Sequence, residues 1–396
     1  MHATSELILR NCRLGGFSQP DAWSAEQQAS AREAAVGQDS AFQSASDQSL
    51  SVLLINPPRD SLALELLESG VRQVQVFTQD FGDQGYFESC GIESEFGLLP
   101  GGEIQAGIVI LFLPREKDRL QFLLHYLSSK LKAEQQLWLV GENKAGIKSA
   151  DRHLKKRFTK VKKLDSARHC VLYRATNPSA GPEFVLANYW QDWSAELATG
   201  ELTLKSLPGC FAHGRLDQGT ALLLDYLQSE EASPLKIKGK VMDFGCGAGV
   251  IGIFLKHQNP AINLELLDSS ASALESCKAS LALNGVEAQL TPSDGLEKAH
   301  GRYDWMISNP PFHKGIATDL DITRRFIAAA PSMLGNRGRM LLVCNRHLAY
   351  EAALSETFSV VQKVKENTLF KVLLAFGRHT NDARKGAKRR KNTRPR

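Results

Sequence analysis

The chain has 396 residues, 43% apolar and 23% charged, with a net charge of +5. This is the balance of an ordinary globular protein with room for two domains, not of a disordered or fibrous chain. No apolar run reaches the ~18 residues of a membrane span, and the start lacks the basic-then-apolar order of a signal peptide. Seven scattered cysteines without a CxxC pair point to a reducing cytoplasm and to no metal site.

In chain order, residues 12–49 are rich in Ser, Ala, Gln and Glu, the composition of a mobile insertion. Short apolar runs at 51–55, 73–77, 107–112 and 137–140 read as buried strands, with a helix over 120–131. The segment Arg152 to Arg168 holds Arg152, Lys155, Lys156, Arg157, Lys160, Lys162, Lys163 and Arg168 against one acid, Asp165. A Pro/Ser/Gly linker at 177–182 suggests a boundary between domains 1–180 and 181–380. The second half repeats the plan. Strands are expected at 240–244, 263–267, 304–308 and 339–343, and helices at 250–257, at 321–334 and along Ala271, Leu274 and Leu281 to Asn284-Gly285. Strands alternating with helices predict a doubly wound α/β sheet.

Two segments match at an offset near 200 residues. Leu137-Trp-Leu-Val resembles Met340-Leu-Leu-Val, and Val161-Lys-Lys with Cys170-Val-Leu-Tyr173 resembles Val361-Gln-Lys with Lys371-Val-Leu-Leu374. An internal duplication follows from them. The first half has Asn56-Pro57-Pro58-Arg59 after its first strand, without a glycine to admit a ligand to the backbone, and reads as a plain turn.

The chemistry gathers in two motifs of the second half. Asp243-Phe-Gly245-Cys-Gly247-Ala-Gly249 ends one strand, and Asn309-Pro310-Pro311-Phe312 ends another. Alternate glycines let a ligand lie on the backbone beyond the carboxyl end of a strand. The run through Gly252 also fits the dinucleotide pattern, which alone does not separate NAD from S-adenosylmethionine. Asp243 tips the balance, because an acid there suits an ammonium group and repels a pyrophosphate. Asp268 is placed to accept the ribose hydroxyls, and Asp294 the adenine amine. Asp217 or Thr220 caps a helix through Leu222, Leu223, Leu224 and Leu227, and this segment reads as a lid over the methionine end of the cofactor.

An exocyclic or amide nitrogen is a poor nucleophile because its lone pair is delocalised. The Asn309 oxygen and the Pro310 carbonyl can draw its hydrogens, Pro311 stiffens the turn, and Phe312 offers a stacking face. Direct in-line methyl transfer then needs orientation and no histidine base. The residues thus describe an S-adenosylmethionine-dependent amine methyltransferase.

The chain resembles the bacterial small-subunit ribosomal RNA guanine-N2 methyltransferases of the RsmC type. The likeness rests on Leu139-Val-Gly-Glu-Asn-Lys144, Leu164-Asp-Ser-Ala-Arg168, Leu207-Pro-Gly209 with Phe211, the glycine loop, Ile307-Ser-Asn-Pro-Pro-Phe-His313 and Asn345-Arg346-His347. It implies two tandem Rossmann-like class I methyltransferase domains, the first degenerate and without cofactor. It also implies N2-methylation of one guanine, guanine 1207, in 16S rRNA carried by the small ribosomal subunit or an assembly particle. A monomer acting in the cytoplasm, with no membrane partner, is expected. An N5-glutamine protein methyltransferase, an N6-adenine RNA methyltransferase and a non-catalytic RNA-binding assembly factor are the alternatives.

Charge adds a docking expectation. Nine Lys/Arg and one Asp give Arg378 to Arg396 a charge of +8, leaving −3 for the rest of the chain. The tail from 381 to 396 reads as disordered and basic. In the first half, Arg152, Lys155, Lys156, Lys162 and Lys163 are the cations expected to hold RNA phosphates.

Overall fold

The computed structural model describes residues 1–12, 51–198, 200–310 and 317–378. The basic tail, Pro311, Phe312 and all of the expected insertion but Cys12 lie outside these residues. The chain divides into two compact units, Met1–Tyr189 and Trp190–Arg396.

The first unit runs α1 (Ala3–Asn11), β1 (Ser51–Ile55), α2 (Leu62–Glu68), β2 (Gln73–Thr78), α3 (Phe81–Ser89), β3 (Ser94–Phe96) and β4 (Ile108–Phe112). It continues through α4 (Lys117–Lys130), β5 (Gln136–Glu142), α5 (Ile147–Lys155), β6 (Phe158–Ala167) and β7 (Cys170–Pro178). Its sheet order is β3-β2-β1-β4-β5-β7-β6. The strands through β5 are parallel, and β7 with β6 closes the edge as an antiparallel hairpin.

The second unit opens with a hairpin, β8 (Gln191–Leu197) and β9 (Gly200–Ser206). Then come α6 (Gln218–Leu227), β10 (Lys240–Phe244), α7 (Val250–Gln258), β11 (Asn263–Asp268), α8 (Ala271–Leu283) and β12 (Gln289–Pro292). The chain goes on through β13 (Tyr303–Ser308), α9 (Ala317–Met333), β14 (Leu334–Asn345), α10 (Tyr350–Thr357), β15 (Phe358–Glu366) and β16 (Phe370–Arg378). The sheet order, β12-β11-β10-β13-β14-β16-β15, repeats that of the first unit strand for strand. Two sequence matches now fall on equivalent strands. A register shift also recurs at the same place, between Lys163 and Asp165 on β6 and between Lys363 and Lys365 on β15. Such bulges are retained features rather than accidents. The two units are tandem Rossmann-like domains.

Helices on both faces explain the apolar strands. On β14, Leu341 and Val343 join a core with Ile253, Phe254, Leu266 and Ile307, while Met340 and Leu342 join a second core with Met242, Met306 and Phe326. A strand buried on both faces reads as a continuous apolar run.

The boundary differs from the one the linker suggested. The chain stays with the first unit through Tyr189. His125 Nε2 donates to the Pro182 carbonyl at 2.9 Å, and the Tyr189 hydroxyl bonds to His125 Nδ1. The Phe184 ring stacks on Tyr189 with centroids 5.3 Å apart. These contacts bind 182–189 to α4, and the linker itself begins within β7.

Candidate active site

The site lies at the carboxyl ends of β10 and β13, where the strand order of the second sheet reverses, the usual ligand crevice of such sheets. Phe244 pairs with Ser308, so the next residues, Gly245 and Asn309, begin side by side. The Ser308 hydroxyl donates to the Phe244 carbonyl at 2.6 Å and ties the two strand ends together.

Gly245, Gly247 and Gly249 all have positive φ. At Gly249 a side chain is also excluded sterically, because a Cβ would come within 2.8 Å of Cys277 Sγ. Around Gly245 and Gly247 the space is open, so a ligand has access to that backbone. Gly245 and Cys246 donate to the Leu267 carbonyl at 2.8 and 3.0 Å. Asp268 fixes the loop further, accepting from Gly247 N at 3.0 Å and from Ser270 N at 2.9 Å.

Asp243 lies beneath this loop, fully buried. Its Oδ2 accepts from Gly252 N at 3.0 Å, whereas its Oδ1 is buried with no hydrogen-bond partner among the described residues. Burial pushes the carboxyl up to about 7, the Gly252 N–H opposes the shift, and the charge of Asp268 adds to it. A buried acceptor without a donor is unusual and calls for a role. The Asp243 Oδ1, with open glycine backbone above it, fits a cofactor that brings an ammonium group.

A cleft runs over the loop. Of the expected site residues, Asp217, Gly245, Gly247 and Asn309 line it together. Asp243, Gly249 and Asp268 are not among its lining residues. Asp294 follows β12, two residues past the end of the third strand. Asp217 caps α6, with Oδ2 accepting from Gly219 N at 2.8 Å and Thr220 N at 3.1 Å. The same oxygen accepts from Asn309 Nδ2 at 2.9 Å, and Thr220 Oγ1 accepts from that nitrogen at 2.9 Å. Thr220 thus belongs to the site as well as to the cap, which the sequence did not reveal.

Sequence reasoning missed the β8–β9 hairpin, which brings Trp193 to the cleft beside Phe211. Its alternation of Trp193, Ala195 and Leu197 with polar residues around a Gly turn was a readable signal. The hairpin and the loop after it are held by a serine stripe on α8. Ser280 bonds both backbone groups of Lys205 at 3.1 Å, Ser276 accepts from Leu207 N at 3.0 Å, and Ser272 donates to the Pro208 carbonyl at 3.0 Å. Spacing of four put these hydroxyls on one helix face.

Comparison with known proteins agrees with this geometry. Residues 201–374 match the model of the methyltransferase small domain, and 43–193 that of the methyltransferase small domain N-terminal. Ribosomal RNA small subunit methyltransferase C of Shewanella loihica is 38% identical over 82% of this chain and 94% of that protein. The chain belongs to the ribosomal RNA small subunit methyltransferase C family. The Acinetobacter baylyi member is 36% identical over 82% of this chain and 94% of its own length. Among solved structures, the T. thermophilus 16S rRNA N2 G1207 methyltransferase (RsmC), in complex with AdoMet and guanosine, superposes with a TM-score of 0.74. It is 26% identical and covers 83% of this chain and 88% of that one. Membership makes this chain an rRNA methyltransferase.

The repeated topology allows position-by-position comparison with the first unit. Ile55 pairs with Phe77 and Leu111 there, as Phe244 pairs with Leu267 and Ser308 here. The places of Asp243, Gly245, Asp268 and Asn309 are therefore held by Leu54, Asn56, Thr78 and Phe112. Asn56 adopts φ 52° and locks its side chain to Gln79, which donates N–H to Asn56 Oδ1 at 2.9 Å. Arg119 Nε donates to Gln79 Oε1 at 2.8 Å. Side chains thus pair across the position that corresponds to the glycine loop.

The basic segment covers α5 and the edge strand β6. Arg152, Lys155, Lys156, Lys162 and Lys163 are exposed, and Lys155 pairs with Asp151 at 2.9 Å. Lys162 lies opposite Arg174 and Lys163 opposite Tyr173, so these two lysines point to opposite faces of the sheet. Arg168 pairs with Glu6 of α1. Lysines on an edge strand also discourage pairing with another chain.

Proposed function

We propose that this chain methylates the exocyclic N2 of one guanine in 16S rRNA, the counterpart of guanine 1207, with S-adenosyl-L-methionine as methyl donor. The observation that carries the reading is the Asn309 amide, whose nitrogen is bound by Asp217 and Thr220 beside the glycine loop. Its oxygen accepts no hydrogen bond from any described residue, although the side chain lines the cleft. That oxygen is left for an N–H of the substrate. The guanosine bound with AdoMet in the T. thermophilus relative supports the choice of base.

Asp243 holds the ammonium of the methionine moiety, with Gly245, Gly247 and Gly249 along its backbone and Asp217 at the same end. Asp268 takes the ribose and Asp294 the adenine. The bound cofactor supplies an electrophilic methyl group for direct in-line displacement. The chain's own work is orientation. Asn309 Oδ1 and the Pro310 carbonyl accept the two amine hydrogens and direct the nitrogen lone pair, while Pro311 and Phe312 stiffen the turn and stack the base. The amine proton leaves to water.

The first unit serves as an RNA-docking or supporting domain without cofactor, its cations holding phosphates without reading sequence. The protein works as a cytoplasmic monomer on the small ribosomal subunit or an assembly particle. Mass mapping of modified nucleosides in 16S rRNA, with and without the protein, tests the reading. Loss of a single N2-methylguanosine is expected. A lost N6-methyladenosine, or unchanged rRNA with a lost glutamine methylation, would install one of the alternatives.

A further inference from the structure

We propose that Asp217 and Thr220 are positioning residues that lock the Asn309 amide with its oxygen toward the substrate. The proposal deepens the functional reading above and rests on it. An asparagine side chain has an accepting end and a donating end of nearly equal size. Left alone, it presents either to a ligand. Here both Nδ2 hydrogens are committed, one to Asp217 Oδ2 and one to Thr220 Oγ1, each at 2.9 Å. Reversing the amide would put its oxygen against a carboxylate oxygen, two acceptors with no proton between them.

The bracket is rigid for reasons visible in α6. Asp217 Oδ2 is already fixed by Gly219 N and Thr220 N. Gly219 leaves little space for a side chain, since a Cβ would meet that oxygen at 3.0 Å and the Phe370 ring at 3.2 Å. Asn309 and Thr220 are almost completely buried, so water does not compete strongly for these bonds. Drawing both N–H groups of an amide also polarises it and makes its oxygen a stronger acceptor. The consequence is selectivity by sign. The locked amide accepts and does not donate, so it takes an exocyclic amine and rejects a carbonyl edge of a base.

The test uses the full chain and small-subunit particles that lack the methylation. Thr220→Val keeps the shape and removes the acceptor, whereas Thr220→Ser keeps the acceptor. Thr220→Val should lower kcat about tenfold, the loss of one buried hydrogen bond, with KM for cofactor and particle nearly unchanged. Thr220→Ser should restore most of kcat. Wild-type kcat in Thr220→Val, or equal loss in both variants, overturns the proposal. A second readout needs no turnover. The Asn309 Nδ2 protons, assigned by their absence in Asn309→Asp, should exchange slowly with solvent in the wild type and quickly in Thr220→Val. Fast exchange in the wild type also overturns it. Protected protons in a protein that transfers no methyl to the particle would refute the functional reading and leave the bracket standing.

Discussion

Replacing Asp243 by asparagine separates what the site needs from what the fold prefers. The carboxyl is fully buried, with Gly252 N as its donor at 3.0 Å. Burial moves its pKa from 3.8 to about 7 in the folded chain. Below pH 3.8 both states carry the proton and the fold keeps its full stability. As pH rises, the unfolded chain releases the proton and the folded chain retains it, so stability falls until the folded group ionises near 7. At 1.36 kcal/mol per unit the whole penalty is about 4 kcal/mol, of which more than half falls between pH 5 and pH 8. Asparagine keeps the bond to Gly252 and removes the titration. Urea unfolding of both proteins at pH 5 and pH 8 should therefore show the asparagine protein gaining about 3 kcal/mol on the wild type across that interval. Function should move the other way. An ammonium group needs the ionised carboxylate, so wild-type affinity for S-adenosylmethionine should rise from pH 5.5 to 7, where the ligand's own amino group stays charged. The variant should bind weakly with no such rise. Parallel unfolding curves at the two pH values, or equal cofactor affinity in both proteins at pH 7, would refute the reasoning.

Other expectations follow from the same geometry. Asn309→Ala should lose roughly 3 kcal/mol of transition-state stabilisation, about a hundredfold in kcat, with cofactor affinity held within a few fold. Single-turnover methyl transfer and calorimetry measure the two separately, and lost cofactor binding with retained turnover would reverse the assignment. Calorimetry on the full chain should give one cofactor per molecule, because Leu54, Asn56, Thr78 and Phe112 replace the second unit's apparatus in the first; a stoichiometry of two would contradict this. Neutralising Lys155, Lys156, Lys162 and Lys163 together should weaken RNA binding and flatten its dependence on salt without changing the base that is methylated. An unchanged slope in a folded quadruple variant would leave Lys162 and Lys163 the task of guarding an edge strand.

The parallel strands and the glycine loop were legible in the sequence because their causes are local. A strand covered on both faces must be apolar throughout, as at Leu341, Leu342 and Val343, and a turn at positive φ favours glycine, as at Gly249. The likeness of the two halves was visible too, since equivalent strands keep equivalent residues. Contacts between distant segments were not legible. A proline-rich linker looked like a boundary until His125, more than fifty residues earlier, was found holding Pro182. The hydroxyls of Ser272, Ser276 and Ser280 meant little until the hairpin was laid over them. In sequence Asp217 and Thr220 were a helix cap and part of a lid over the cofactor. Only the pairing of β13 with β10, and the seating of α6 beside them, brought both within 2.9 Å of the Asn309 amide. Sequence spacing sets which groups a turn or strand can present. Which end of an amide remains for a substrate depends on acceptors supplied from 89 and 92 residues away, and the folded sheet alone puts them there.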